Sequence, residues 1–141
     1  MRLYPPAPVL TRIANADIEL GGKHLAAGSL VVMPIFAIHR HRRLWDDPDR
    51  FDPDRFSPER EAKYSRYQFM PFGAGPRICI GASFAMIEAT AMLATFVRSA
   101  HFEVSAGHIP TPISRITLRP SGGMPLKVWP RSGSAPIARA A

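Results

Sequence analysis

One stretch of the chain differs from the rest in its pattern of hydrophobic and polar positions. Between Ser83 and Ser99 nearly every residue is apolar, and the polar ones are Ser83, Glu88, Thr90, Thr95, Arg98 and Ser99. A helix that is apolar almost all round belongs in the interior of a protein. The pattern therefore predicts a central helix over residues 83–99, with Glu88 at an exposed edge.

The first forty residues predict short β-like elements. Residues 3–16 contain three prolines, which is typical of an extended segment. Gly21-Gly22 and Gly28-Ser29 indicate turns. The run Leu30-Val31-Val32-Met33 predicts a strand that Pro34 ends, and residues 35–40 predict one or two helical turns.

A near-tandem stretch follows, with a proline every five residues. It reads Asp47-Pro48-Asp49-Arg50-Phe51, Asp52-Pro53-Asp54-Arg55-Phe56, Ser57-Pro58-Glu59-Arg60. This spacing excludes a long helix or a central strand. Each of the first two copies also carries a Phe for burial and an Arg for pairing. Because disordered segments are poor in aromatic residues, we predict an ordered, winding coil.

The last part of the chain predicts a hairpin and a tail. Residues 116–129 are expected to form the hairpin, turning at Ser121-Gly122-Gly123. We predict one domain unit over residues 1–130 and a disordered tail over residues 131–141.

Composition narrows the choice of function only a little. The chain has 141 residues, 15 prolines, a formal net charge of +7 and a single cysteine. One cysteine excludes an internal disulfide and fits a reducing compartment or a reactive thiol. The charge suits nucleic acid, an acidic membrane surface or an acidic protein partner. No apolar run has transmembrane length, and no signal-peptide core is present, so the default expectation is a soluble cytoplasmic protein.

The candidate chemistry lies in a glycine-rich loop before the predicted helix. Gly73 and Gly75 allow the backbone to approach a flat ligand. Arg77, two residues before Cys79, points to the same side in an extended loop and suits a carboxylate. The start of a helix favours the thiolate form of Cys79, and Phe72 can shield its sulfur from water. A haem offers two propionates to an arginine and an iron to a thiolate. The alternative for Cys79 is a small buried hydrophobic residue, which is the usual role of a lone cysteine.

The loop resembles the haem-binding signature of the cytochrome P450 family, F-G-x-G-x-R-x-C-x-G. All six fixed positions are present: Phe72, Gly73, Gly75, Arg77, Cys79 and Gly81. The resemblance implies an α+β fold, the C-terminal portion of the mainly helical P450 fold, with small hairpins and a winding proximal coil. It also implies haem b, with Cys79 as the iron ligand, Arg77 as a propionate anchor and Phe72 tuning the thiolate.

Two further arginines match the family pattern. Arg2, in Arg2-Leu3-Tyr4-Pro5-Pro6, occupies the Arg position of the E-x-x-R motif, and Arg55 matches the arginine that pairs with that motif. Spacing alone favours a solvated Arg55. Arg12 lies where the family often has a second propionate contact, although an exposed arginine is equally natural there.

The resemblance also places family elements before Met1: the Glu of E-x-x-R and the long distal helix. The predicted helix over residues 83–99 would normally pack against that upstream body. We therefore expect a truncated chain with a large exposed apolar face that self-associates, and any membrane anchor would also lie in the N-terminal part.

The implied activity is a monooxygenase that inserts one atom of O2 into a small apolar organic substrate. Residues 7–11 and 115–118 correspond to substrate-contacting segments. Electrons would come from a ferredoxin, a flavodoxin or an NADPH-dependent reductase, docking near Arg42, Arg43, Lys63 and Arg66. The alternatives are an inactive truncated remnant, and a haem-thiolate peroxygenase or sensor that needs no electron donor.

The histidines and the basic cluster around them suggest no other chemistry. His39 and His41 are two residues apart, so they do not share a helix face and make a poor metal pair. We expect both to be solvated. No stacking aromatics are interleaved with the basic residues, so nucleic-acid binding is not predicted.

Overall fold

The computed structural model describes residues 1–131 and contains four two-stranded sheets and one long helix. The strands are β1 Leu10–Ile13, β2 Ile18–Leu20, β3 Lys23–Leu25, β4 Leu30–Met33, β5 Ala100–Val104, β6 Pro112–Ser114, β7 Leu118–Pro120 and β8 Leu126–Pro130. The helices are α1 Ile35–Ile38, α2 Pro58–Glu61 and α3 Ala82–Ser99, and 3₁₀ turns cover Pro53–Phe56 and Gly75–Arg77. Among the described residues, only α3 is longer than five residues.

The chain forms two compact units. The first contains Met1–Arg77 and Ser114–Leu118, and the second contains Ile78–Ile113 and, among the described residues, 119–131.

In the first unit, two antiparallel hairpins are nested along the chain. Strand β1 pairs with β4 and β2 pairs with β3. Gly21 and Gly22 join β2 to β3 with φ angles of 58° and 72°, which confirms the predicted turn. The segment 3–16, predicted to be extended, contains β1, for which Leu30–Met33 supplies the partner strand.

A small aromatic cluster forms the core of the first unit. Trp45 is 2% exposed, and its ring centroid lies 4.9 Å from that of Tyr64. Phe56 packs between Trp45 and Phe69, at 6.3 Å and 4.7 Å. The prediction of an ordered coil is therefore confirmed, and the predicted burial is met in part by Phe56, which packs in the cluster but is half-buried.

The same prediction is wrong for Phe51, which is 79% exposed. Residue 51 lies in the extended stretch before the 3₁₀ turn Pro53–Phe56, and only the end of that turn points into the aromatic cluster. Asp52 caps the turn, because its Oδ1 accepts a hydrogen bond from the Asp54 backbone N–H at 3.1 Å. The spacing of the two copies is regular, but their local geometry is not.

In the second unit, α3 begins one residue before the predicted helix and ends where predicted. Its only aromatic contact to the sheet that follows joins Phe96 and Phe102, edge to face at 6.0 Å, among the described residues. None of its residues is buried, and Phe84 and Ile87 are each 72% exposed. The expected exposed apolar face is confirmed, together with the exposure of Glu88; self-association stays a prediction.

The predicted last hairpin is wrong. Strand β7 pairs with β6, and β8 pairs with β5, so the turn at residues 121–123 joins two strands that are not partners. The reason is visible in the β5–β8 ladder, where Phe102 lies opposite Val128 and Val104 opposite Leu126. β8 forms five residue pairs with β5, whereas the three-residue β7 could offer it only three. Most of the predicted tail, residues 132–141, lies outside the described residues.

Within residues 1–131, no helix combines the length and the hydropathy that a membrane crossing requires.

Candidate functional site

The glycine-rich loop turns sharply at Gly73. The Gly73 N–H donates to the Met70 carbonyl at 3.0 Å, and φ of Gly73 is +77°, in the left-handed region. A Cβ at this position would lie 3.2 Å from Cδ1 of Leu10 on β1. The left-handed backbone angle therefore favours glycine here, and a side chain would also require the Leu10 side chain to shift. Phe72, the residue before it, is half-buried.

The loop does not continue as extended chain after this turn. Gly75, with φ of +73°, begins the 3₁₀ turn Gly75–Arg77, and no atom lies within 4 Å of the place where its Cβ would be. The prediction of an extended loop is wrong, because Gly73 and Gly75, on either side of Ala74, both lie in the left-handed region and bend the backbone. An extended backbone was the reason to expect Arg77 and Cys79 on the same side of the loop, and the 3₁₀ turn removes that reason.

Arg12 and Arg77 line one cleft of about 610 Å³. The other lining residues are Thr11, Ile13, Asn15 and Leu30. Arg12 extends from β1, and its Nη1 donates to the Thr11 carbonyl at 2.7 Å. None of the six lining residues is acidic. The cleft therefore combines two arginines with the apolar side chains of Ile13 and Leu30. Such a cleft suits a carboxylate attached to an apolar body.

The second unit carries Cys79 and Gly81. The Cys79 thiol is exposed, and the Cys79 carbonyl accepts a hydrogen bond from Ala82 N–H at 3.2 Å, just before α3. Gly81 is the N-cap of α3, and a Cβ there would lie 3.8 Å from the Cys79 sulfur, in ordinary van der Waals contact. The thiol is thus accessible beside the first turn of a helix, whose N–H groups favour negative charge. Among the described residues, no group of three or more His, Cys, Asp and Glu side chains could hold a metal.

Comparison with known proteins decides the family. The model of the cytochrome P450 family matches residues 1–127. The chain belongs to the cytochrome P450 family. Its members are haem- and iron-containing monooxygenases, a class of oxidoreductases. The similar curated proteins include a cytokinin hydroxylase of Arabidopsis thaliana, 42% identical over 131 residues, and cytochrome P450 4B1 of Homo sapiens, 39% identical over 130 residues.

These similarities cover most of this P450 chain and a small part of each relative. Each of those two alignments spans 92% of the chain and 25% of the relative, so the chain spans about a quarter of their length. The crystal structure of the cytochrome P450DA heme domain superposes with a TM-score of 0.84 and 30% sequence identity. That match covers 92% of this chain and 29% of the heme domain, so the chain has the fold of part of a P450 heme domain.

Two buried arginines hold the coil that precedes the loop. Arg2 is 4% exposed, and its guanidinium donates to the carbonyls of His39 at 2.9 Å, Pro48 at 2.6 Å and Arg50 at 2.9 Å. It also lies over the Trp45 ring, 5.0 Å from the centroid. Burial first, and then the charge of Arg55, lowers the pKa of Arg2 from its usual range. Three segments that are distant in sequence therefore meet at one cation.

Arg55 is also 4% exposed, so the solvated position that spacing alone favoured is wrong. Its Nη2 donates to the Asp47 carbonyl at 2.9 Å, and Asp47 has an unusual φ of 44°. Its Nε lies 3.9 Å from Oδ2 of Asp52, and among the described residues this buried Nε has no hydrogen-bond partner. A buried arginine with an unused N–H can donate a hydrogen bond to a further carboxylate or carbonyl oxygen.

His39 is a second residue whose predicted exposure to solvent is wrong. It is 0% exposed instead of solvated, and its Nε2 accepts a hydrogen bond from the Met70 backbone N–H at 3.0 Å. Burial is the main cause that lowers the pKa of His39 to about 4. The sequence did contain a signal, because His39 follows the buried Ile35 by four residues and so shares its helix face. His41 is exposed as expected, with Nδ1 accepting from Arg43 N–H at 3.2 Å.

The basic residues expected to meet an electron donor are exposed. They are Arg42, Arg43, Lys63 and Arg66. Arg42 lines a cleft together with Asp46, Asp47 and Asp49, which reduces the positive potential at that edge. Lys63 lines a separate cleft with Arg55 and Arg60, although Asp46 lies there too.

The glycine geometry predicts unequal effects of two matched substitutions. We expect Gly73→Ala to lower the free energy of unfolding by about 2–3 kcal/mol, from left-handed backbone strain plus the contact with Leu10. Gly75→Ala should cost about 1 kcal/mol, because strain acts there without a clash. Urea denaturation of both variants measures the difference. Equal losses would contradict the close contact between loop and strand.

Stability should depend on pH through His39. Its pKa is about 4 in the folded chain and about 6.5 in the unfolded one, so the unfolded state binds a proton first as the pH falls. The free energy of unfolding should therefore decrease between pH 6.5 and 4, by up to about 3 kcal/mol. The nearest charges, Arg2, Arg40 and the N-terminal amine, are all cationic and act in the same direction.

Urea denaturation between pH 7 and 4.5 tests this dependence. His39→Gln keeps an acceptor but does not titrate, so its stability should fall less steeply than that of the wild type. His41→Gln, at an exposed position, is the control and should follow the wild type. Parallel curves for the wild type and His39→Gln would show that His39 is not the titrating group.

Proposed function

We propose that this chain is the haem-ligating part of a P450 monooxygenase and that Cys79 supplies the thiolate ligand to the iron of haem b. The carrying observation is an exposed, single cysteine immediately before the first turn of α3, preceded by a loop of conformationally required glycines. An exposed thiol in this position can reach a ligand.

Other residues of the signature have roles in holding the cofactor. Arg12 and Arg77 would bind propionates, since both guanidiniums line one cleft that contains no acidic residue. Gly73, Gly75 and Gly81 would keep the backbone close to the macrocycle, and Phe72 would limit access of water to the sulfur. When bound, haem supplies oxygen activation, and a thiolate ligand favours O–O cleavage by donating electron density.

The activity proposed for the whole protein is insertion of one oxygen atom from O2 into a small apolar organic substrate. The two segments assigned to substrate lie near each other in the first unit, since Leu118 N–H donates to the Pro6 carbonyl at 2.9 Å. The similar curated proteins carry different names at comparable identity, among them a cytokinin hydroxylase and cytochrome P450 4B1. The proposal therefore stays at the level of substrate class.

The difference spectrum of the reduced, carbon-monoxide-treated chain tests the haem assignment. We expect a strongly red-shifted Soret band when the chain is expressed with haem supplied. The band should be lost in Cys79→Ala, because the thiolate donor is removed. Lys23→Gln, an exposed charge on β3 outside the loop, is a control that should keep the band.

The other outcomes identify the rival functions. A chain without a Soret band, or with one typical of histidine or thiol ligation, would be an inactive remnant. A thiolate band with turnover on peroxide alone would indicate a peroxygenase. Turnover that requires a reduced partner protein would support the monooxygenase.

We also propose that an acidic electron donor, such as a ferredoxin, a flavodoxin or the flavin domain of an NADPH-dependent reductase, docks at Lys63 and Arg66. Both are exposed on the coil between α2 and the signature loop, within the first unit. Attraction between exposed charges of opposite sign accelerates encounter and weakens as salt rises.

Reduction of the haem-loaded chain by a reduced ferredoxin should therefore slow as ionic strength increases. The double variant Lys63→Gln and Arg66→Gln should reduce the rate about 3- to 10-fold at low salt and flatten the salt dependence. Lys23→Gln, an exposed charge on β3, is the matched control. A rate independent of ionic strength would reject an electrostatic docking site.

A further inference from the structure

His39 combines complete burial with a contact to the signature loop. The side chain lies at the C-terminal end of α1, and its ring centroid is 5.2 Å from that of Phe69. Its Nε2 accepts the Met70 N–H at 3.0 Å. A neutral imidazole that accepts at Nε2 must carry its proton on Nδ1. Among the described residues, that buried Nδ1 has no hydrogen-bond partner.

An apolar side chain would avoid this cost. Leaving a buried donor without a partner is unfavourable by about 1–3 kcal/mol, and an aromatic ring such as Phe carries no such donor. The feature that a Phe could not reproduce is the acceptor for Met70. The value of His39 to the structure therefore lies in where it holds residue 70.

Met70 is held at both of its backbone polar groups. Its N–H donates to His39, and its carbonyl accepts from Gly73 N–H at 3.0 Å. That second bond closes the turn in which Gly73 has φ of +77° and packs against Leu10. The His39 carbonyl meanwhile accepts from buried Arg2 at 2.9 Å. One residue thus connects the buried arginine to the first turn of the signature loop.

We infer that His39 is a positioning residue: its neutral Nδ1–H imidazole anchors Met70 and thereby fixes the turn from which the Cys79 loop begins. The link between His39 and the loop stands on geometry alone. Its consequence for the haem ligand rests on the proposed function.

Amide exchange of Met70 tests the link in the full chain. At pH 7, we expect the Met70 amide to exchange about tenfold faster in His39→Phe, which keeps an aromatic ring beside Phe69 but has no acceptor. His39→Gln, which restores an acceptor oxygen, should return exchange to within about threefold of the wild type. His41→Phe is the matched control and should leave Met70 unchanged. Amides of β1 and β4 report global stability in each variant.

The inference can also be tested on the wild type, so that the test does not require any variant to fold. Imidazole ¹⁵N chemical shifts should show His39 with its proton on Nδ1 at pH 7. A proton on Nε2 would overturn the inference, as would wild-type exchange of Met70 in His39→Phe, or exchange in His39→Gln as fast as in His39→Phe.

The haem readout separates this inference from the proposed function. The fraction of chain giving the thiolate Soret band should fall in His39→Phe and recover in His39→Gln. An equal fraction in wild type and His39→Phe would overturn the positioning role. Absence of the band in the wild type would reject the proposed function, whereas the exchange and tautomer data would still decide the His39–Met70 link.

Discussion

The buried guanidinium of Arg2 is the interaction on which the first unit depends. A cation is costly to bury, and Arg2 offsets part of that cost by donating to three backbone carbonyls and lying over Trp45. Those carbonyls belong to the end of α1 and to the proline-rich coil. Segments without regular secondary structure are thereby fixed, because their backbone acceptors converge on one planar donor.

The signature loop is supported from the same centre but shaped by different means. His39 connects the arginine to Met70, and the turn that follows is constrained by the left-handed backbone of Gly73 and by its close approach to Leu10. The arginines of the cleft are exposed, and so is the cysteine before α3, as their proposed roles require.

Local signals in the sequence were sufficient for some elements. Four consecutive apolar residues ended by Pro34 predicted β4, and the apolar run before Ser99 predicted α3 within one residue. The candidate residues of the loop followed from their spacing and the family resemblance. That spacing did not predict the 3₁₀ turn at Gly75, because glycine permits several backbone conformations and the surroundings select one.

The remaining errors involve partners distant in the chain. Arg55 and His39 looked like solvated charges, and their burial depends on contacts with Asp47, Arg2 and Met70 that no local pattern encodes. The partner of β8 was missed for the same reason, since the Gly122-Gly123 turn suggested β7 while the apolar pairs of β5 offered a longer ladder. The partner of a strand depends on which available strand offers the most favourable apolar pairs, and a turn motif carries no information about strands distant in sequence.

The exposed apolar face of α3 also affects the thermodynamics of unfolding. Heat-capacity change and denaturant sensitivity scale with the surface that becomes hydrated when a chain unfolds. Because Phe84, Ile87 and Leu93 are already more than 60% exposed in the folded chain, unfolding hydrates little additional surface on this helix. A monomer of this length would therefore have a shallow denaturation curve and a flat dependence of stability on temperature, compared with a globular domain of equal size.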